Sequence, residues 1–114
     1  MNFYYFSNNF NIMYKAVITT TNDKGSAYKI RDALLLNGVS PCVQIIDRVN
    51  SAYVWNERVR NDIEYMLIVK CKSKNIKKVN STIASKHNYK TPEIISIDFD
   101  IISKSYRNWF DRNS

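Results

Sequence analysis

The sequence predicts an α+β domain in the order β-α-β-β-α-β, followed by a short C-terminal helix. Period-two alternation of apolar and polar residues occurs in four stretches, and two stretches with helical spacing separate the first strand from the second and the third from the fourth. The two middle strands are joined by too few residues for anything but an antiparallel hairpin. The chain has 114 residues, which is one domain by length.

Tyr14 to Thr20 alternates Tyr14, Ala16 and Ile18 against Lys15, Val17 and Thr19 and is rich in β-branched residues, so it reads as the first strand. Asn22 or Asp23 then offers a side-chain oxygen to the free N–H groups of a helix start. The helix runs to Leu36 with Ala27, Ile30 and Leu34 as its apolar stripe, and Asn37-Gly38 supplies a left-handed stop. Cys42 to Trp55 is a long strand, with Cys42, Gln44, Ile46 and Arg48 on one face and Val43, Ile45, Asp47 and Val49 on the other. Asn56-Glu57-Arg58 is a turn without glycine. Asp62 to Cys71 returns as the third strand, and a hairpin this long is expected to overhang the body of the domain.

Lys74 to Lys86 spaces Ile76, Val79 and Ile83 along one narrow helical stripe. Pro92 opens a last strand, Glu93 to Asp98. Ser103 then caps a helix carrying Tyr106, Trp109 and Phe110, which read as core. The order is the ferredoxin-like split βαβ arrangement. Two helices cover one face of its sheet. The other face, rich in Ile, Val and Tyr, is left bare and is expected to be covered by further copies of the chain. Residues 1–12 carry no charge and fit neither a signal peptide nor the strand pattern, so they read as a mobile extension to a single domain spanning 13–114.

Composition excludes several classes. Apolar content of 45% with 2 Gly and 2 Pro argues against disorder. No apolar run approaches the roughly 18 residues of a spanning helix, so no membrane role is expected. The net charge of +7 owes much to lysines between Lys70 and Lys90, which read as a solvated face. The stacking motif of an RNA-binding sheet is missing, so nucleic acid is not an expected partner. Two cysteines, Cys42 and Cys71, do not make a disulfide scaffold, and a reducing, cytoplasmic setting fits them.

Few residues carry chemistry. Cys42 is a soft thiolate ligand or an inert strand cysteine. His87, the only histidine, is a metal ligand or a helix-end residue suited to the C-terminal dipole. Tyr53 and Trp55 share a face near the hairpin tip and suit an interface better than a ligand platform. Glu64 and Lys70 are expected to pair along a cleft with Glu93 nearby. With no nucleophile elbow and no glycine-rich phosphate loop, an enzyme is not expected.

Taken in order, Cys42-Val43, Ser51-x-Tyr53-x-Trp55, Glu64, Lys70, His87-x-Tyr89-x-x-Pro92-Glu93-Ile94, Tyr106 and Trp109 resemble the CutA family of divalent-cation tolerance proteins, over residues 14–110. The resemblance implies a compact homotrimer of ferredoxin-like subunits with the architecture of the PII signalling proteins. It also implies inter-subunit clefts lined by Tyr53, Trp55, Glu64, Lys70, Tyr89 and Glu93. The function it implies is tolerance of divalent cations, with binding of copper or another divalent metal by Cys42 and His87 and no metal needed for folding. A small ligand or protein partner in the cleft, without a metal role, is the alternative. The chain departs from the family pattern at Val39-Ser40-Pro41, at Glu57 in place of a turn glycine, and at Cys71 in place of threonine.

Overall fold

The computed structural model describes residues 13–114; the extension expected at residues 1–12 lies outside the described residues. The elements are β1 (Tyr14–Thr21), α1 (Lys24–Leu36), β2 (Cys42–Trp55), β3 (Arg58–Lys72), α2 (Ile76–Lys86), β4 (Ile94–Phe99) and α3 (Lys104–Arg112). The strands form one antiparallel sheet in the order β2-β3-β1-β4, which is the split βαβ topology. Asp23 caps α1, its Oδ2 accepting from the N–H and the hydroxyl of Ser26, each at 2.8 Å. Gly38, at φ 69°, ends the helix where a side chain would be strained, and Val39 N–H returns to the Leu34 carbonyl.

The main core lies between the sheet and the first two helices. Val17, Leu67, Val69 and Cys71 from the strands meet Ala27, Ile30 and Leu34 of α1 and Val79 and Ile83 of α2. Cys71 is fully buried and its thiol is pushed up to about 11 by that burial, so it acts as a packing residue. The second face is not wholly bare. α3 folds over one end of it, where Phe110 meets Tyr14 edge-on at 5.5 Å and packs with Phe99 and Ile101. The Tyr14 hydroxyl donates to Asp111 at 2.9 Å and secures the helix.

Beyond α3 that face carries Ile18, Ile46, Met66, Ile68, Ile95 and Ile97, and Ile97 is 53% exposed. The hairpin overhangs it. β1 reaches β3 only as far as Tyr65, so Arg58–Glu64 pair with β2 alone. Those seven residues project about 23 Å at strand spacing. A two-stranded ribbon that is not supported by a third strand or a helix is marginal in water.

A bulge corrects one sequence expectation. Ile46 faces Met66, but Val49 faces Glu64, so β2 holds one residue too many between them, with Arg48 at φ 63°. Alternation therefore reverses. Val49 does not continue the helix-side face of Val43 and Ile45, and Ser51, Tyr53 and Trp55 lie on the open face with Cys42, Gln44 and Ile46. At the tip Trp55 pairs with Arg58, and both Asn56 (φ 52°) and Glu57 (φ 62°) are left-handed, as a two-residue turn of this kind requires. Asn tolerates that conformation, whereas Glu adopts it only at a steric cost. Glu57→Gly is expected to raise stability by about 1 kcal/mol, read as a higher urea midpoint.

Candidate functional site

The segment from His87 to Glu93 leaves α2, passes the end of β1 and closes on the root of the overhanging hairpin. His87 follows α2 in extended geometry, which turns its ring back toward the sheet. Its Nδ1 accepts the Tyr89 N–H at 3.0 Å, so Nε2 carries the proton and donates to the Thr20 carbonyl at 2.9 Å. Asn88 accepts from the Thr21 hydroxyl at 2.5 Å and donates to Asn22 at 2.9 Å. Tyr89 then reaches Glu64, its hydroxyl donating to Oε2 at 2.5 Å. Two residue pairs further out, the Tyr53 hydroxyl donates to Asp62.

The electrostatics follow from these contacts. Glu64 is only 5% exposed, and the Tyr89 phenol is its hydrogen-bond partner. Burial first, and the Glu64 bond second, push Tyr89 far above the ordinary phenol range. Tyr53 is raised mainly by its bond to Asp62. Burial lowers His87 below its usual value and favours the neutral ring that the two hydrogen bonds need.

Unfolding returns His87 to about 6.5, so the unfolded chain binds the proton more readily than the folded one. The His87 contribution to stability is therefore complete above about pH 6.5 and is lost as the pH falls below it. Urea unfolding at a series of pH values is expected to show this loss, and His87→Gln is expected to flatten it.

The structure thus joins Glu64 with Tyr89, sets His87 against Tyr89 with ring centroids 4.9 Å apart, and places Tyr53 beside them through Asp62. Trp55 lies two residues nearer the tip and is 49% exposed. Glu93 is exposed just before β4, which begins at Ile94. The expected Glu64–Lys70 pair does not form, because the two are six residues apart on β3, about 20 Å. Lys70 pairs with Cys42 at the opposite end of the sheet. There the Cys42 thiol meets the Tyr106 phenol of α3, which burial raises first and Cys42 next.

Sequence reading gave no site role to Thr20, Thr21 or Asn88, whose polar character was the available signal, took Asn22 only as a possible helix cap and took Tyr106 only as core. The two ligand candidates are far apart within a subunit. Cys42 lies level with Lys70 and His87 level with Met66, a difference of about 13 Å along the strands alone. Both ring nitrogens of His87 are already engaged. Among the described residues no group of three or more His, Cys, Asp or Glu could hold a metal ion. The described residues of one subunit therefore do not make a metal site by themselves.

Comparison with known proteins bears on this geometry. Residues 15–113 match the model of the CutA1 divalent ion tolerance protein family. The chain belongs to that family. It is 28% identical over 102 residues to the divalent-cation tolerance protein CutA of Thermus thermophilus, covering 90% of this chain and 99% of that one. The solved CutA1 structure from the same organism superposes with a TM-score of 0.85 at 27% identity, over 90% of this chain and 99% of that chain. The probable CutA homolog of Encephalitozoon cuniculi is 29% identical over 96 residues, 84% of this chain and 83% of its own. Against the chloroplastic CutA of Arabidopsis thaliana, 24% identical over 86% of this chain, the chain spans about half the relative's length, 54%.

The fold is shared throughout the family match, and Glu57 and Cys71 are accommodated within it as a strained turn residue and a packed thiol. Relatives' names place them in more than one compartment, chloroplastic in Arabidopsis and periplasmic in the Archaeoglobus fulgidus structure. No helix among the described residues is long and apolar enough to cross a membrane.

Proposed function

We propose that this chain is a homotrimeric, non-enzymatic divalent-cation tolerance protein that takes part in the response to metal ions. The observation that carries the assembly is the apolar face of the sheet together with the unsupported hairpin. Three copies packed face inward would cover both. The Glu64–Tyr89 and Tyr53–Asp62 pairs hold the root of each hairpin in place and would form the wall of a cleft between neighbours, with Trp55 and Glu93 on its rim. Cys42 and Cys71 are both free thiols, which suits a reducing, cytoplasmic setting.

Copper or another divalent ion would be held between subunits, because the described residues of a single subunit gather no ligand set. Cys42, half-buried on the open face, is the donor best placed to meet another copy. His87 would join it only by giving up its bond to Thr20 or to Tyr89. In a competition titration of Cu(I) against a chelator under reducing conditions, Cys42→Ser is expected to lose copper affinity by at least about tenfold. Unchanged affinity in that variant would remove Cys42 from the site.

The engaged state of His87 favours a second reading, in which the cleft takes a small ligand or a protein partner and no metal role exists. Copper affinity equally weak in the wild type and in the double variant lacking Cys42 and His87 would select it.

A further inference from the structure

A separate cavity of about 230 Å³ lies on the helix side of the sheet, between α1 and the edge strand β2. That side is opposite to the face assigned to contacts between copies, and none of the residues discussed above as cleft or ligand candidates lines it. Its two walls differ in charge. The α1 wall presents Lys24, Tyr28 and Arg31, one side of the helix at i, i+4 and i+7. The Arg31 guanidinium is fixed 4.4 Å over the Tyr28 ring and by an Nε bond to Asp32 at 2.8 Å, and Lys24 Nζ sits 5.6 Å from the same ring.

The β2 wall presents Val43 and Ile45 as apolar floor and then Asp47, the next residue on that side of the strand. Tyr65 closes the far side. Among the described residues Asp47 and Lys24 make no ion pair, and Arg31 pairs only with Asp32. Opposite charges thus face one cavity without meeting each other.

A simple anion would gain from Lys24 and Arg31 but would also face Asp47. A simple cation would meet the reverse. The arrangement suits a small molecule that carries both charges and an apolar body. We propose that the cavity binds a free α-amino acid: its carboxylate on Lys24 and Arg31, its ammonium on Asp47, and its side chain on Val43, Ile45 and Tyr65. The volume lies below the roughly 300–1,000 Å³ of sites for drug-sized ligands, in keeping with so small a ligand. Charge-assisted hydrogen bonds at both ends would supply the specificity and the apolar floor a preference for larger side chains.

The test is a chemical-shift titration of the full chain with L-phenylalanine, phenylacetate and phenethylamine, which carry both charges, the carboxylate alone and the ammonium alone. Saturable shifts confined to Lys24–Arg31 of α1, to Val43–Asp47 and to Tyr65 are expected with L-phenylalanine at millimolar concentration, and at least about tenfold weaker binding with either single-charge compound. Asp47→Asn is expected to bring L-phenylalanine down to the affinity of phenylacetate, and Arg31→Gln down to that of phenethylamine. Phenylacetate binding as tightly as L-phenylalanine would overturn the proposal in favour of a plain anion site. Shifts that do not saturate, or that map elsewhere, would overturn it outright. Both substitutions lie at side chains outside the buried core, and an unchanged amide spectrum of each free variant establishes that it is folded.

Discussion

Ile97→Asp is expected to turn the proposed trimer into monomers while leaving the subunit folded. Ile97 stands on β4 opposite Ala16, more than half exposed in the single subunit, so a carboxylate there can reach water when the chain is alone. In an assembly that buries the open face, each copy would place an unpaired charge among Ile18, Ile68 and Ile95. Burying a carboxylate without a partner costs several kcal/mol, and the symmetry repeats the cost in every subunit. Sedimentation should therefore fall from a species of three times 13.4 kDa to one of 13.4 kDa. A far-ultraviolet spectrum unchanged by the substitution would separate loss of assembly from loss of fold.

Phe110→Ala is expected to cost about 3–5 kcal/mol, a large fraction of a typical domain's stability. Phe110 is fully buried and holds the second cluster together, edge-on to Tyr14 at 5.5 Å and to Phe99 at 6.3 Å. Without its ring, α3 retains the Tyr14–Asp111 hydrogen bond and the Lys72–Asp111 ion pair at 3.7 Å, both partly solvated and weak. The helix should then detach, carrying Tyr106 away from Cys42, and expose that end of the sheet. Urea unfolding would read the loss directly. A change below about 1 kcal/mol would mean that α3 is held by something other than this cluster.

The order of elements was legible because most boundaries are written locally, although β3 begins at Arg58 and not at Asp62 as read. Asp23 and Ser103 cap their helices as read, the latter accepting from Tyr106 N–H at 3.3 Å, and Asn37-Gly38 stops α1. The stripes of Ile30 and Leu34 and of Val79 and Ile83 are the buried ones. What failed depended on contacts across the chain or on one backbone irregularity. The bulge at Asp47-Arg48 contains no glycine, so period-two reading ran through it and put Val49 on the wrong face. α3 packs through Tyr14, far away in sequence, and nothing local says which face it covers.

The site shows the same division. Glu64 and Lys70 were expected to pair with each other, and nothing in the strand pattern shows that a loop 25 residues later brings Tyr89 to Glu64. Residue type alone left His87 open between ligand and helix-end residue. Its two hydrogen bonds, to Thr20 and from Tyr89, engage the ring within the subunit, and they depend on how the loop after α2 crosses the end of β1.

The central claim is that copies of this chain assemble through the open sheet face and the overhanging hairpins. Native mass spectrometry of the full chain under reducing conditions, with and without Cu(I), tests it most directly. The expected ion is a trimer, three times 13.4 kDa, that takes up copper in steps when the ion is added. A monomer at concentrations where the subunit is folded would contradict the account, because the apolar face and the unsupported hairpin would then have nothing to cover them.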